Sequence, residues 1–235
     1  MKTHHAGALL LAIGLATGPV RAEWTGEAGF GLVSASGNTD SRSVSGTLAL
    51  AREAGRYENH LNADIHRAST DGEESADRRA VGYKLDLKFD TRLYGWVSLR
   101  WENDQFANID SRATLGSGIG VKLLTGPIHE LAVEAGVGSH KTTYIDATPQ
   151  DRGAVGIFAL AYTGRLNENL TLRQRIGVEA GGDNTAVTSN TGVKVKMTKA
   201  FSLGISHLIK HNTDIVGALG KKRDSLTTVN LVYSF

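Results

Sequence analysis

The sequence predicts an all-β fold, a single antiparallel, up-and-down transmembrane β-barrel of about 12 strands. Apolar and polar residues alternate with a period of two through most of the chain, and no helical stripe of comparable quality interrupts them. Short connections alternate with mostly longer ones, which is the pattern of outer-membrane barrels. The chain also ends on a strand-like segment, TTVNLVYSF, whose last residue is a bare phenylalanine.

Composition excludes several classes of protein. The 235 residues contain 28 glycines, 3 prolines and no cysteine, with 26 basic and 24 acidic residues. Without a charge imbalance or a basic run, nucleic acid is not an expected partner. Because no disulfide can form, the fold must be stable without one.

The first 22 residues are predicted to be a cleaved secretory signal. A basic start at Lys2 precedes an apolar run at 6–20, too short to span a bilayer as a helix. Cleavage after Ala22 leaves 23–235 as the barrel. No later apolar stretch reaches the length of a transmembrane helix, so we expect any membrane crossing to be made by strands.

Each predicted strand has its own alternation. In VGYKLDLKF (81–89) the apolar residues alternate with Lys84, Asp86 and Lys88, and in TGVKVKM (191–197) they alternate with Lys194 and Lys196. The predicted strands are 24–35, 41–53, 57–69, 79–89, 93–103, 111–124, 128–140, 152–164, 169–180, 186–197, 201–212 and 225–235. The mature chain's two prolines fall in connections, so neither interrupts a strand.

The connections assign the two ends of the barrel. The short set is 54–56, 90–92, 125–127, 166–169 and 198–200. The other set is 67–77, 103–110, 141–151 and 213–224, with SGNTD and GGDNT as shorter members. An even number of strands places both termini at the short-turn end, which faces the periplasm in outer-membrane barrels.

Aromatic residues mark the same end. Seven of the chain's fifteen aromatic residues map near the periplasmic strand ends: Trp24, Tyr57, Phe89, Tyr162, Phe201, Tyr233 and Phe235. A barrel has no edge, so the last strand is expected to pair with the first. Tyr233 and Phe235 resemble the C-terminal signal read by the bacterial barrel-assembly machinery, which is therefore an expected partner during insertion, with outer-membrane lipid as the solvent.

Two stretches carry a resemblance to a known family. WTGEAGFGLVSASGNTDSRSVSG (24–46) combines a Trp–Gly start, small residues and an SGNT turn, and LYGWVSLRWENDQFANIDSRATLGSGIGVKLL (93–124) joins an aromatic strand, an acidic loop and a Gly-alternating strand. Both resemble bacterial outer-membrane proteins of unknown function described as salt-induced (YdiY-like). The resemblance implies a barrel in the outer membrane and no established activity.

Alternation predicts which charges line the lumen. The predicted lining charges are Glu27, Asp64, Lys84, Asp86, Lys88, Arg100, Glu102, Lys122, Glu134, Arg173, Arg175, Lys194 and Lys196, and the same parity adds Glu53, Glu130, Glu179 and Lys210. Acids and bases are nearly balanced, which favours ion pairs inside a largely filled lumen and a structural or stress-associated role. The alternative is a narrow channel for ions or small polar solutes, with the basic residues lining its path.

The outer loops offer weaker candidates. Asp104, Asp110 and Arg112 frame one loop, where they could pair at the mouth or the two aspartates could bind a divalent cation, although a solvated loop is the expectation. Lys221, Lys222 and Arg223 could meet lipopolysaccharide phosphates.

No cofactor, metal or catalytic set is predicted. His60 and His66 lie about 20 Å apart on one strand and cannot share a metal. Ser206 and His207 point to opposite faces, so they do not form a nucleophile and base. An outer-membrane lipid-modifying enzyme is the least favoured alternative.

Overall fold

The computed structural model describes residues 23–35, 40–146, 149–182, 184–213 and 222–235. The strands are β1 Trp24–Ala35, β2 Ser41–Ala54, β3 Tyr57–Thr70, β4 Glu73–Lys88, β5 Leu93–Asp104, β6 Ile109–Thr125, β7 His129–Tyr144, β8 Asp151–Arg165, β9 Leu170–Gly181, β10 Asn184–Lys196, β11 Phe201–Asn212 and β12 Arg223–Ser234. A single-turn 3-10 helix, Gln105–Ala107, follows β5. The predicted signal at 1–22, the SGNT turn at 36–39 and Lys221 lie outside the described residues.

The strands form one closed barrel in which each strand pairs antiparallel with its neighbours along the chain, and β12 pairs with β1. The predicted fold class, an antiparallel barrel of 12 strands, is confirmed. Within the described residues, no helix has the length and the apolar character that crossing a membrane requires.

The junction of β1 with β12 closes the ring over a short distance. The register covers Glu27–Phe30 against Leu231–Ser234. Beyond it, Gly26 and Phe235 exchange two backbone hydrogen bonds of 2.8 and 3.0 Å. The ring of Phe235 covers Gly26, where an added Cβ would lie 2.6 Å from its Cζ. The backbone of the C-terminal Phe235 is therefore hydrogen-bonded to β1.

The predicted loop at 67–77 is wrong. β3 continues to Thr70 and β4 begins at Glu73, so the connection is the two-residue turn Asp71–Gly72, with φ of 52° and 86°. An Asp-Gly pair with both φ positive suits a tight hairpin. The extension is not predicted from the sequence because both faces of β3 and β4 are polar near this turn, so the alternation that marks a strand is missing there. Connections at the two ends consequently differ in length less than predicted.

The two faces of the wall differ in side-chain size. Large apolar residues on the outer face are exposed, among them Phe30, Leu115 and Ile119 at 60, 53 and 58%. On the inner face, Trp96 is buried against Gly116, Gly118 and Gly136, where an added Cβ would lie 2.7–3.2 Å from the indole. Glycine is needed there because the bulky ring lies flat against the wall. The inner face of β5–β7 thus packs a buried indole against three glycines.

Aromatic residues form a belt at the end that carries both termini. Phe201, Tyr233 and Phe235 contact one another with ring centroids 5.3 and 5.7 Å apart. Trp24, Tyr57 and Phe89 are also exposed at this end. Such belts mark the level of the lipid–water interface in membrane barrels. We call this end the turn end and the opposite one the loop end.

Candidate functional site

The interior of the barrel is crossed by ion pairs. Glu27 of β1 accepts two hydrogen bonds from Arg173 of β9, of 2.8 and 3.0 Å, and one of 2.5 Å from Lys194 of β10. Neither β9 nor β10 is a neighbour of β1 in the ring. Side chains from such strands can meet only through the lumen, so all three point inward. We call Glu27, Arg173 and Lys194 the turn-end triad.

A second set of contacts lies against the wall formed by β5–β7. Lys84 of β4 binds Glu134 of β7 at 2.6 Å and Asp86 of its own strand at 2.7 Å. Tyr94 of β5 donates its hydroxyl to the same Glu134 oxygen at 2.7 Å. Lys84 also lies 5.2 Å from the centre of the Tyr94 ring. These four residues fix β4 to β7 across the inner faces of β5 and β6.

The third set lies nearest the loop end and is made of partly and largely buried charges. Lys210 of β11 reaches Glu102 at 3.3 Å and Asp104 at 3.6 Å, both on β5. Arg78 of β4 contacts the same two carboxylates at 3.8 and 3.7 Å and Asp64 of β3 at 2.9 Å. We call these five residues the loop-end cluster. Its side chains are 10–30% exposed, which favours paired rather than isolated charges.

The loop-end cluster spans the full width of the lumen, because β5 and β11 are six positions apart in a ring of 12 strands. With strands about 4.8 Å apart and tilted by about 40°, a circular ring of this size is roughly 24 Å across between backbones. Extended lysine and glutamate side chains in contact span only about 15 Å between their Cα atoms. The barrel is therefore flattened where Lys210 meets Glu102.

Shorter-range pairs complete the lining. Arg112 of β6 binds Glu179 of β9 at 2.8 Å, and Arg100 contacts Glu102 at 3.4 Å. Lys88 binds Glu53 at 2.7 Å within the wall formed by β2–β4.

One group has the donors of a metal site. Ligand atoms of Glu58, His60 and Asp86 lie within 4.8 Å of one another. Ammonium groups already contact its acids: Lys88 and Lys122 lie 3.5 and 3.6 Å from Glu58, and Lys84 lies beside Asp86. A cation here would meet three resident positive charges, so the group is better described as part of the ion-pair lining.

Three cations of β9, β10 and the turn after β10 take no part in this network. Arg175, Lys196 and Lys199 have no carboxylate within 4 Å among the described residues. Lys196 and Lys199 line a cavity of about 230 Å³ at the turn end, together with Lys194 and the hydroxyl residues Thr171, Ser202 and Ser234. The cavity at the turn end thus carries three lysines and one acid, Glu168.

The predicted outer-loop residues are not brought together. Asp104 caps the 3-10 helix by accepting the Ala107 N–H at 3.2 Å and joins the loop-end cluster. Arg112 points to Glu179 instead, and Asp110 is exposed beside a bulge in β6.

Sequence reasoning missed Arg78, because the predicted strand began one residue later. Its alternation with Ala80, Gly82 and Lys84 would have placed it inward had the strand been extended.

Fold and lining together define a porin-like β-barrel with a charged interior. The chain belongs to the family described as protein of unknown function, DUF481, whose sequence model matches residues 28–235. The NanC porin structure superposes with a TM-score of 0.50 at 10% identity, over 89% of this chain and 97% of that one. The KdgM porin gives 0.48 at 10% identity, over 91% and 99%.

The translocator domain of the autotransporter NalP from Neisseria meningitidis gives 0.47 at 14% identity, over 90% and 87% of the two chains. No curated protein matches the chain by sequence. At these identities the likeness to solved structures is one of fold.

Proposed function

We propose that this protein is an integral barrel of the bacterial outer membrane with a structural role, its lumen closed at rest by ion pairs. The exposed apolar outer wall and the aromatic belt support a place in lipid, and a closed barrel satisfies its own backbone there. The turn end, which carries both termini, faces the periplasm in this proposal. Tyr233 and Phe235, paired into the wall, serve as the signal for the barrel-assembly machinery.

The contact of Lys210 with Glu102 and Asp104 is the observation that carries the closed lumen. It joins opposite strands, and the turn-end triad crosses the lumen again nearer the other end. A solute would have to separate paired, partly buried charges at two levels. The resemblance to salt-induced outer-membrane proteins supports a stress-associated setting for such a barrel.

A narrow anion-preferring channel is the second candidate, and the unpaired cations favour it. Arg175 of β9, Lys196 of β10 and Lys199 of the following turn have no carboxylate within 4 Å among the described residues, and of these Lys196 and Lys199 share their cavity with one acid, Glu168. Rings or rows of one charge sign select ions in pores. This path would run beside the turn-end triad.

The proposal includes no catalysis. Ser206 shares a 2.7 Å hydrogen bond with Thr228, whereas His207 bonds to Thr227 on the other face of the same strand pair. These two candidates for a nucleophile and a base are therefore separated by the wall.

Single-channel recording in planar bilayers tests the proposal. We expect the folded wild-type barrel to be silent and the Glu27→Gln/Arg78→Ala/Lys210→Ala variant to conduct, because the ion pairs that cross the lumen are then lost at both levels. Arg67→Ala is the matched control, since Arg67 lies on the outer face near the same rim, where Asp77 pairs with it. Steady steps from the wild type would contradict the closed lumen. If those steps shift toward cations in Lys196→Glu, the channel is the better description.

A further inference from the structure

A cationic pair lies on the outer face of the barrel near the loop end. Lys141 of β7 and Arg152 of β8 are register partners, and both side chains are exposed. The same row continues through Ala113 of β6 to Trp101 of β5, which is 40% exposed. Alternation with the inward Glu102 and Arg112 places this row on the outside.

An apolar groove adjoins the two cations. It has a volume of about 500 Å³, and its lining includes Leu99, Ala113, Leu115 and Ser139 as well as Lys141 and Arg152. Leu99 and Leu115 are 45 and 53% exposed, whereas Ala113 and Ser139 are short residues that leave room between them. An extended hydrocarbon chain fits such a slot better than a polar solute does.

The two cations are free to bind an anion. Among the described residues, Lys141 has no ion-pair partner, and Arg152 donates only to the amide oxygen of Gln150 at 3.1 Å. The nearby acid, Asp151, is bound to His140 at 2.8 Å. By contrast, Arg67 and Arg79, on the same outer rim, are paired with Asp77 at 3.5 and 2.8 Å.

We propose that this groove binds a phosphorylated lipid of the surrounding outer leaflet. Lys141 and Arg152 hold the phosphate through charge-assisted hydrogen bonds, and one acyl chain lies along Leu99, Ala113 and Leu115. Trp101, in the same row as the two cations, is an amphipathic ring of the kind that favours the lipid–water interface. The inference rests on the proposed function in one respect, that the loop end faces the outer leaflet.

Native mass spectrometry of the detergent-folded barrel, titrated with diphosphoryl lipid A, measures this binding. We expect Lys141→Ala/Arg152→Ala to weaken it about tenfold or more, since two charge-assisted contacts are lost. Ala113→Phe, which fills the groove without changing charge, should weaken it as well. Arg67→Ala, a neutralisation on the same rim, should leave it within about twofold.

Two results would overturn the proposed lipid site. One is equal binding by the double variant and the wild type, and the other is equal binding of lipid A and a phosphate-free analogue by the wild type. Membrane fractionation separately tests the location. Absence from the outer membrane, with lipid A still bound selectively in detergent, would overturn the proposed location and support the groove's chemistry. An outer-membrane location together with equal binding of lipid A and its phosphate-free analogue would overturn the proposed lipid site alone.

Discussion

Among the described residues, Glu27 is the one acid that two cations reach from strands that are not its neighbours. Its carboxylate binds both terminal nitrogens of Arg173 and the ammonium of Lys194. Since Glu27 and Arg173 are 26 and 40% exposed, water screens their attraction in part. The loss of the carboxylate nevertheless leaves two bases facing each other without an acid.

We therefore expect Glu27→Gln to lower the free energy of unfolding by about 1–3 kcal/mol, less than the cost of breaking a fully buried pair. Urea unfolding of the barrel in lipid vesicles measures the change. Glu168→Gln serves as the control, because Glu168 lies exposed in the turn at the same end and has no ion pair among the described residues. Equal loss in the two variants would mean that the triad adds nothing specific.

Asp90 gives a prediction on pH. The backbone N–H groups of Leu93 and Arg92 donate to its carboxylate, both at 2.7 Å, and hold its pKa below the usual value of 3.8. A lowered folded-state pKa means that the stabilisation is present above the unfolded value and is lost as the pH falls through the folded one. The exposed turn thus gains stability from an ionised Asp90.

Asp90→Ala should be less stable than the wild type at pH 7, and the difference should shrink below about pH 4. Urea midpoints at several pH values measure this difference. Asp110→Ala, an exposed acid at the loop end with no ion pair among the described residues, controls for the general removal of an acid. A gap between Asp90→Ala and the wild type that widens at low pH would contradict the assigned role.

At the scale of the strand, the junction of β1 with β12 decides whether the ring is closed. Ala28 faces Tyr233 in the register, and the chain contains no cysteine of its own. Directly opposed residues of an antiparallel pair lie within disulfide reach.

Ala28→Cys/Tyr233→Cys should form an intramolecular disulfide on mild oxidation, seen as altered mobility on denaturing gels. Ala28→Cys/Leu231→Cys shifts one thiol by two residues on the same face and should cross-link much less. Preferential cross-linking of the shifted pair would show that the register differs from the one described.

Strand existence follows from alternation, but strand length does not. In the wall of a closed barrel, the outer and inner faces meet different surroundings, so period two is visible in segments such as 81–89. Between Glu73 and Asp77, β4 extends past its pairing with β5, and both faces of the β3–β4 hairpin are polar there, so the sequence predicts a loop where the structure has the turn Asp71–Gly72.

Prediction of the candidate site from the sequence has a similar limit. Alternation predicts the side of a strand on which Glu27 lies. It does not predict that Arg173, 146 residues away, is its partner, because register and barrel curvature decide that contact.

At the scale of the whole barrel, ion pairs and strand geometry oppose each other. Uniform strand spacing favours a round cross-section, whereas Lys210 holds β11 close to Glu102 and Asp104 of β5. Lys210 is the member of the loop-end cluster contributed by β11, so its removal frees that wall while Arg78 still neutralises the acids.

Lys210→Ala should let the barrel become rounder, with a β5–β11 separation longer by on the order of 5 Å. Electron paramagnetic resonance distances between spin labels at Trp101→Cys and His211→Cys, which flank Glu102 and Lys210, measure this separation. Lys88→Ala is the control, because its ion pairs stay within β2–β4. An unchanged distance in Lys210→Ala would mean that backbone pairing alone sets the flattened shape. A similar increase in Lys88→Ala would mean that the effect is not specific to the contact across the lumen.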